Sequence, residues 1–109
     1  MHELSITRNV VAICAERAAG AQVLRVTVEV GKLSAIMPEA MRFCFDLCAR
    51  DTLLEGAALD IIETEGRARC RDCGDEIALN TLSGRCPCGS SALQVIAGEE
   101  LKIREMEVA

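Results

Sequence analysis

The stretch Leu24-Arg25-Val26-Thr27-Val28-Glu29-Val30 alternates apolar and polar side chains. Successive side chains of a β-strand point to opposite faces, so this alternation predicts a strand with one buried face and one face in water. The extended segment runs over residues 22–34, and Gly31 marks either a bulge or the end of the strand. The fold is therefore expected to contain a sheet that is covered on one side.

Helical patterns lie on both sides of this strand. Residues 3–19 and residues 38–50 carry apolar side chains at spacings of three or four, which is typical of amphipathic helices. Gly20 supplies a stop for the first helix, and Pro38 suits the first turn of the second, where its missing N–H is not needed. The two apolar stripes consist of Ile6, Val10, Val11, Cys14 and Ala18, and of Met41, Phe45 and Cys48.

Two further stretches, 57–66 and 92–108, are also strand-like. In the second, Leu101 and Ile103 share one face, whereas Met106 and Val108 fall on the other parity, so a bulge is expected near Arg104. Residues 67–90 between them are rich in cysteine and glycine and cannot build a core alone. The predicted fold class is α+β, with two helices packed on a three-stranded sheet and an inserted zinc-ribbon-like domain.

Composition and charge exclude several classes of protein. The chain has 109 residues and a net charge of -5, which argues against a nucleic-acid partner because phosphate binding needs a basic face. No apolar stretch approaches the roughly 20 residues that cross a bilayer, and no secretory signal pattern is present. We therefore expect a cytoplasmic protein with reduced thiols and no membrane partner, in which paired cysteines hold a metal.

Four cysteines form two close pairs with metal-ligand spacing. Cys70 and Cys73 are separated by two residues, and Cys86 and Cys88 by only one. Two such pairs on facing turns give a tetrahedral set of thiolates, so a structural Zn(II) site is predicted. The single-residue spacer predicts a tighter bite and a less regular geometry. A redox dithiol and four unrelated thiols are the alternatives.

The other three cysteines, Cys14, Cys44 and Cys48, lie on the apolar faces of the helices. They are interpreted as small buried hydrophobic residues. Cys44 and Cys48 are four residues apart and could chelate an ion, but no third ligand is suggested near them.

The only histidine, His2, stands next to the amino end of the chain. The amine of Met1, the amide of His2 and its imidazole can close chelate rings around one ion if the amide loses its proton. Ni(II) and Cu(II) favour the square-planar nitrogen set that results, whereas zinc does not. The bulky His2 should also prevent removal of Met1, and Glu3 could add its carboxylate or its amide nitrogen.

Several motifs together resemble one known family. The opening Met1-His2-Glu3-Leu4-Ser5-Ile6, the segment Val30-Gly31-Lys32-Leu33-Ser34, Pro38-Glu39, Phe43, and the paired cysteines followed by Gly89-Ser90 are similar to the HypA/HybF family of hydrogenase maturation proteins. The resemblance covers essentially the whole chain.

This resemblance implies a nickel metallochaperone for [NiFe] hydrogenase assembly, which is not an enzyme. It implies that His2 is the essential nickel ligand, joined by nitrogens at the amino end, and that Glu3 affects nickel binding or partner choice. A nickel-binding domain would comprise residues 1–66 and 92–109, and a zinc domain residues 67–91. The implied zinc ligands are Cys70, Cys73, Cys86 and Cys88. The implied partners are a HypB-type GTPase, the hydrogenase large subunit and, for some members, urease accessory proteins.

Two rival functions follow from parts of the chain. A hydrolase would use a metal at His2, but there is no Ser–His–acid arrangement and no glycine-rich phosphate loop. A zinc ribbon that binds nucleic acid would account for the cysteines, but the acidic balance and the lack of stacking aromatic residues count against it. The charged residues of the last strand are expected to be solvated or to dock a partner, and an edge strand there could pair two copies in a homodimer.

Overall fold

The part of the chain that the structure describes forms two helices and six strands. The computed structural model describes residues 2–109; Met1 and the side chain of His2 lie outside the described part. In chain order the elements are α1 (His2–Ala18), β1 (Val23–Gly31), α2 (Pro38–Ala49), β2 (Ala58–Thr64), β3 (Arg67–Cys70), β4 (Glu76–Ala78), β5 (Leu93–Ala97) and β6 (Leu101–Val108).

The first sheet has the strand order β2-β1-β6. Strand β1 pairs in parallel with β2, and α2 makes the crossover connection that parallel neighbours require. On its other side β1 pairs with β6 in the antiparallel direction. The prediction of a three-stranded sheet with two helices is confirmed.

Both helices pack on one face of this sheet around an aliphatic core. Val26, Val28 and Val30 of β1 are at most 1% exposed, so the predicted buried face of the strand is confirmed. Phe45 is the aromatic residue of the core, whereas Phe43 is 67% exposed. The helices contribute Val10, Val11, Cys14 and Ala18 from α1, and Met41, Phe45 and Ala49 from α2.

Two irregularities interrupt the pairing of β1 with β6. Thr27 pairs with Glu105 and Val28 with Ile103, so Arg104 is an extra residue and the bulge expected there is confirmed. Near the start of β1 the register also shifts, and Leu24 has no partner across the sheet. Leu24 is 46% exposed, so its predicted place on the buried face is wrong.

A second sheet, in the order β4-β3-β5, is built from the cysteine-rich segment and the residues after it. The single strand expected over 92–108 is in fact two strands that belong to different sheets. Residues of β5 pair with β3, whereas β6 pairs with β1. The chain turns between them at Gly98, whose φ of +101° favours glycine. The division of the chain into separately folding domains stays a prediction.

The two sheets meet at a close backbone contact. A Cβ atom on Gly31 would lie 1.9 Å from the carbonyl oxygen of Gly98, so the two chains approach there as only glycine allows. The N–H of Leu33 donates to the same oxygen of Gly98 at 2.8 Å. The Leu33 side chain, 5% exposed, packs with Ala68 and Leu79 in the small core of the second sheet. A residue that follows β1 therefore completes a core formed mainly by the inserted segment.

We expect Leu33→Ala to destabilise the second sheet by about 2–5 kcal/mol, because it removes one of three buried side chains from a small core. Hydrogen exchange of the β3 and β5 amides would measure the loss. The matched control is Leu24→Ala, at a half-exposed position of the first sheet, which should change stability by less than about 0.5 kcal/mol. Equal effects of the two substitutions would contradict this description of the junction.

Candidate metal centres

The sulfur atoms of Cys70, Cys73, Cys86 and Cys88 converge on one point. All four lie within 4.8 Å of one another. The distance between the sulfurs of Cys70 and Cys88 is 3.6 Å, and that between Cys73 and Cys86 is 3.5 Å. Ligands about 2.3 Å from a tetrahedral zinc ion stand about 3.8 Å apart, close to these distances and far from the roughly 2.05 Å of a disulfide. The four residues therefore fit a tetrahedral thiolate site.

The first cysteine pair lies on a tight turn at the end of β3. The N–H of Gly74 donates to the Cys70 carbonyl at 2.9 Å, and the N–H of Cys70 donates to the Asp75 carbonyl at 2.8 Å. Gly74 has a φ of +80°, which a side chain would strain. These two bonds fold the chain back so that both sulfurs point to the same side.

The second pair uses the same construction with one residue fewer. The N–H of Gly89 donates to the Cys86 carbonyl at 2.8 Å, and the N–H of Cys86 donates to the Ser90 carbonyl at 3.0 Å. Gly89, with a φ of +95°, takes the place that Gly74 has in the first turn. The shorter spacer is accommodated by a tighter turn around Pro87. The tighter bite and less regular geometry expected from the single spacer stay a prediction, because the two distances above join sulfurs of different pairs and not the two sulfurs of one pair.

Polar side chains beside the cysteines tie the two turns together. The hydroxyl of Ser90 donates to the carboxylate of Asp72 and accepts from the N–H of Ala92 at 3.0 Å. The N–H of Arg71 in turn donates to the Ala92 carbonyl at 2.8 Å. Sequence reasoning missed this link. Its only signal was an Asp inside the first pair and a Ser just after the second, residue types that often bond to nearby backbone groups.

Hydrogen bonds to sulfur shift the pKa values of Cys70 and Cys73 in opposite directions. The backbone N–H groups of Cys73 and then Asp72 lower the pKa of Cys70 to about 6. The N–H of Asp75 is the largest single influence on Cys73 and acts in the same direction, but the neighbouring thiols, that of Cys86 foremost, and desolvation together outweigh it and raise the pKa of Cys73 to about 12. The Cys70 thiolate thus forms readily, while Cys73 and Cys88, whose pKa values are raised, keep their protons until a cation balances the charge. The site is therefore suited to a metal ion.

Helix α1 begins at His2, and its first turn lies beside the start of α2. The Met37 N–H donates to the Glu3 carboxylate at 3.2 Å, and Met37 directly precedes α2. A carboxylate at this place is favoured by the positive end of the α2 dipole. Met1 and the imidazole of His2, which the sequence predicts as nickel ligands, lie outside the described residues. The contact between Glu3 and Met37 spans 34 residues and could not be read from sequence spacing.

The remaining cysteines lie away from the four-sulfur cluster. Cys14 is 1% exposed and Cys44 is 6% exposed, as expected for small hydrophobic residues of helices, and burial raises the pKa of Cys14. Cys48 is partly buried. Within residues 2–109, leaving out the His2 side chain, the four-cysteine cluster is the group of three or more potential ligands that could hold an ion.

Over the same described residues, the two helices are too short or too polar to span a bilayer.

The chain was compared with known proteins. A family model described as "Hydrogenase/urease nickel incorporation, metallochaperone, hypA" matches residues 1–108. Hydrogenase maturation factor HypA of Crocosphaera subtropica is 63% identical over 109 residues, which is 99% of this chain and 96% of that protein. The same factor of Geobacter metallireducens is 50% identical, and the match covers 99% of this chain and 99% of that protein.

A solved structure has the same fold. The solution structure of the Ni metallochaperone HypA from Helicobacter pylori aligns with a TM-score of 0.67 at 28% identity, covering 97% of this chain and 96% of the other. The match of the family model, the identity to the curated relatives and the structural likeness all extend over essentially the full chain. The chain therefore belongs to the HypA family of hydrogenase and urease nickel-incorporation metallochaperones.

Proposed function

We propose that this chain binds Ni(II) at its amino end and delivers it during maturation of a [NiFe] hydrogenase, while Zn(II) at the four cysteines holds the second sheet. The observation that carries the proposal is the family match over residues 1–108, which includes the opening Met1-His2-Glu3. In this proposal the protein carries the metal and does not turn over a substrate.

The nickel ligands are the Met1 amine, the amide nitrogen of His2 and its imidazole, with Glu3 nearby. Three nitrogens in sequence close chelate rings around one ion, and a square-planar nitrogen set favours Ni(II) over Zn(II). The start of α1 would repel a cation through its dipole. A deprotonated amide and the half-buried Glu3 carboxylate offset that repulsion.

Delivery follows from how few groups hold the ion. All proposed nickel ligands come from the first three residues, so a recipient can approach and displace them one at a time. The proposed partners are a HypB-type GTPase, the hydrogenase large subunit as recipient, urease accessory proteins as a second route, and a second copy of this chain.

The zinc ion is proposed to have a structural role. Cys70 and Cys86 are at most 4% exposed, and the segment between them contributes only Leu79 to the buried residues of its core apart from the cysteines. Metal binding would supply the folding free energy that so small a core lacks. The ligands of this site are Cys70, Cys73, Cys86 and Cys88, which close it on all four positions.

A transfer experiment tests the delivery role. The protein with its native amino end is loaded with radioactive nickel and mixed with the precursor of a hydrogenase large subunit, with a chelator present to capture free nickel. Nickel is expected to reach the precursor from the wild-type protein. It should not reach the precursor when the His2→Ala variant, mixed with the same amount of nickel, takes the place of the wild-type protein. Equal transfer in both mixtures would contradict delivery through the amino end.

A further inference from the structure

Strand β6 is an open edge of the first sheet. It pairs with β1 on one side, and within residues 2–109 no strand pairs with its other side. About every second residue of this eight-residue strand therefore directs its backbone N–H and C=O groups to an unpaired edge. Such an edge can accept another strand through main-chain hydrogen bonds.

The sequence of β6 is complementary to itself when reversed. We propose that β6 pairs with β6 of a second copy of this chain in the antiparallel direction, joining two three-stranded sheets into one of six strands. In the register centred on the strand, every basic residue meets an acidic one and every apolar residue meets an apolar one. The four facing pairs are Leu101 with Val108, Lys102 with Glu107, Ile103 with Met106, and Arg104 with Glu105.

The bulge at Arg104 makes this register sterically consistent. Facing residues of antiparallel strands must point to the same side of the sheet. Ile103 and Met106 are an odd number of positions apart and would point to opposite sides in a regular strand. The extra residue between them restores their parity, and both are half-buried on the helix side, while Lys102 and Glu107 are exposed on the other.

The charges of β6 favour antiparallel over parallel pairing of two copies. Lysines and bulges on an edge normally oppose pairing with another chain. Here parallel pairing in register would set Lys102 against Lys102, whereas the antiparallel register sets it against Glu107. Among the described residues, Lys102 and Glu105 make no ion pair within the chain. The residues proposed to face them, Glu107 and Arg104, make long ion pairs of 3.8 Å with Arg25 and 3.9 Å with Glu29, which a partner's charge would share.

A groove beside β6 gives the second copy an apolar surface to cover. The groove has a volume of about 480 Å³ and lies between α1 and β6, lined by Ile6, Ile13, Leu101 and Ile103 among others. Ile13 is 41% exposed there. Because α1 forms one wall of this groove and β6 the other, the groove adjoins the open edge of the sheet. A strand from the second copy would lie beside that edge and cover the groove.

This inference does not depend on nickel binding, so its failure and that of the proposed function are separate. The test is sedimentation equilibrium of the untagged, zinc-loaded full chain at low ionic strength, where exposed charges are less screened. The wild-type protein is expected to dimerise. Lys102→Glu places like charges across the interface twice and should raise the dissociation constant about tenfold, whereas adding Glu107→Lys restores opposite charges and should return it close to the wild-type value.

The matched control is Lys32→Glu, an equal change in net charge at an exposed residue just after β1, which should leave dimerisation unchanged. A wild-type protein that stays monomeric, a dimer indifferent to Lys102→Glu, or a double variant that does not recover would each overturn the proposal.

A cross-link reports the register directly. Carbodiimide joins a lysine amine to a carboxylate in contact with it, and Lys102 and Glu107 of one strand are roughly 15 Å apart. In a mixture of ¹⁴N- and ¹⁵N-labelled protein, the cross-linked peptide of Lys102 with Glu107 should therefore carry mixed labels. A dimer that yields only peptides cross-linked elsewhere would contradict this register.

Discussion

A Cys88→Ser substitution is expected to lower the zinc affinity of the four-cysteine site by on the order of a thousandfold and to unfold β3, β4 and β5. One of four thiolates is lost, and a structural zinc site contributes about 10–16 kcal/mol in total, so a quarter of that is a large loss for a small core. Cys88 is exposed, which means that the effect cannot come from lost burial. Chelator competition would give the affinity, and hydrogen exchange would give the folding of each sheet.

The control is Cys48→Ser, which also removes one thiol. Cys48 lies on α2 and packs against the core of the first sheet. It should leave both the zinc affinity and the second sheet unchanged. In Cys88→Ser the amides of β1 should keep their protection, because the core of the first sheet does not use the cysteine cluster. Full protection of β3 and β5 in a zinc-free variant would show that zinc does not hold this sheet.

His2→Ala is expected to weaken nickel binding on the order of a thousandfold while leaving zinc binding unchanged. The imidazole closes the last chelate ring, and without it the metal has no anchor that helps it displace the proton of the backbone amide. Competition with a chelator of known nickel affinity measures the change. Arg8→Ala, at an exposed position of the same helix, is the control and should bind nickel as the wild-type protein does. If nickel affinity in His2→Ala stays within a few fold of wild type, the imidazole is not a ligand.

The elements with strong periodicity could be predicted from the sequence. The helices end within one residue of their expected limits, because each has an apolar stripe and a clear stop or start at Gly20 or Pro38. The bulge at Arg104 was visible as a change of parity in β6. These features depend on neighbours in the chain, which a sequence pattern records.

The features that were missed depend on contacts between distant residues. Strands β3 and β4 have four and three residues, too few for an alternation to be recognised. The insertion of Leu33 into the second core is set by the way the two sheets meet at Gly31 and Gly98. Leu24 is apolar and in phase with the buried face, but a shift of register near the start of β1 leaves it exposed.

The candidate zinc site was predicted as a set of residues but not as a geometry. Spacing alone indicated that the pair with a single spacer would bite differently. The hydrogen bonds of Gly89 and Ser90 show how a turn shorter by one residue still brings its two sulfurs to the cluster. That placement depends on backbone angles at Gly74 and Gly89, which the residue types permit but do not dictate.

The most direct test of the nickel site is a spectroscopic titration of two forms of the protein. One has a free Met1 amine; in the other that amine is acetylated and His2 is replaced by alanine. We predict that the first form takes up one equivalent of Ni(II) and develops the visible absorption band of a square-planar nitrogen complex, and that the second shows neither. Normal uptake with the same band in the blocked form would place nickel elsewhere in the protein and contradict the account.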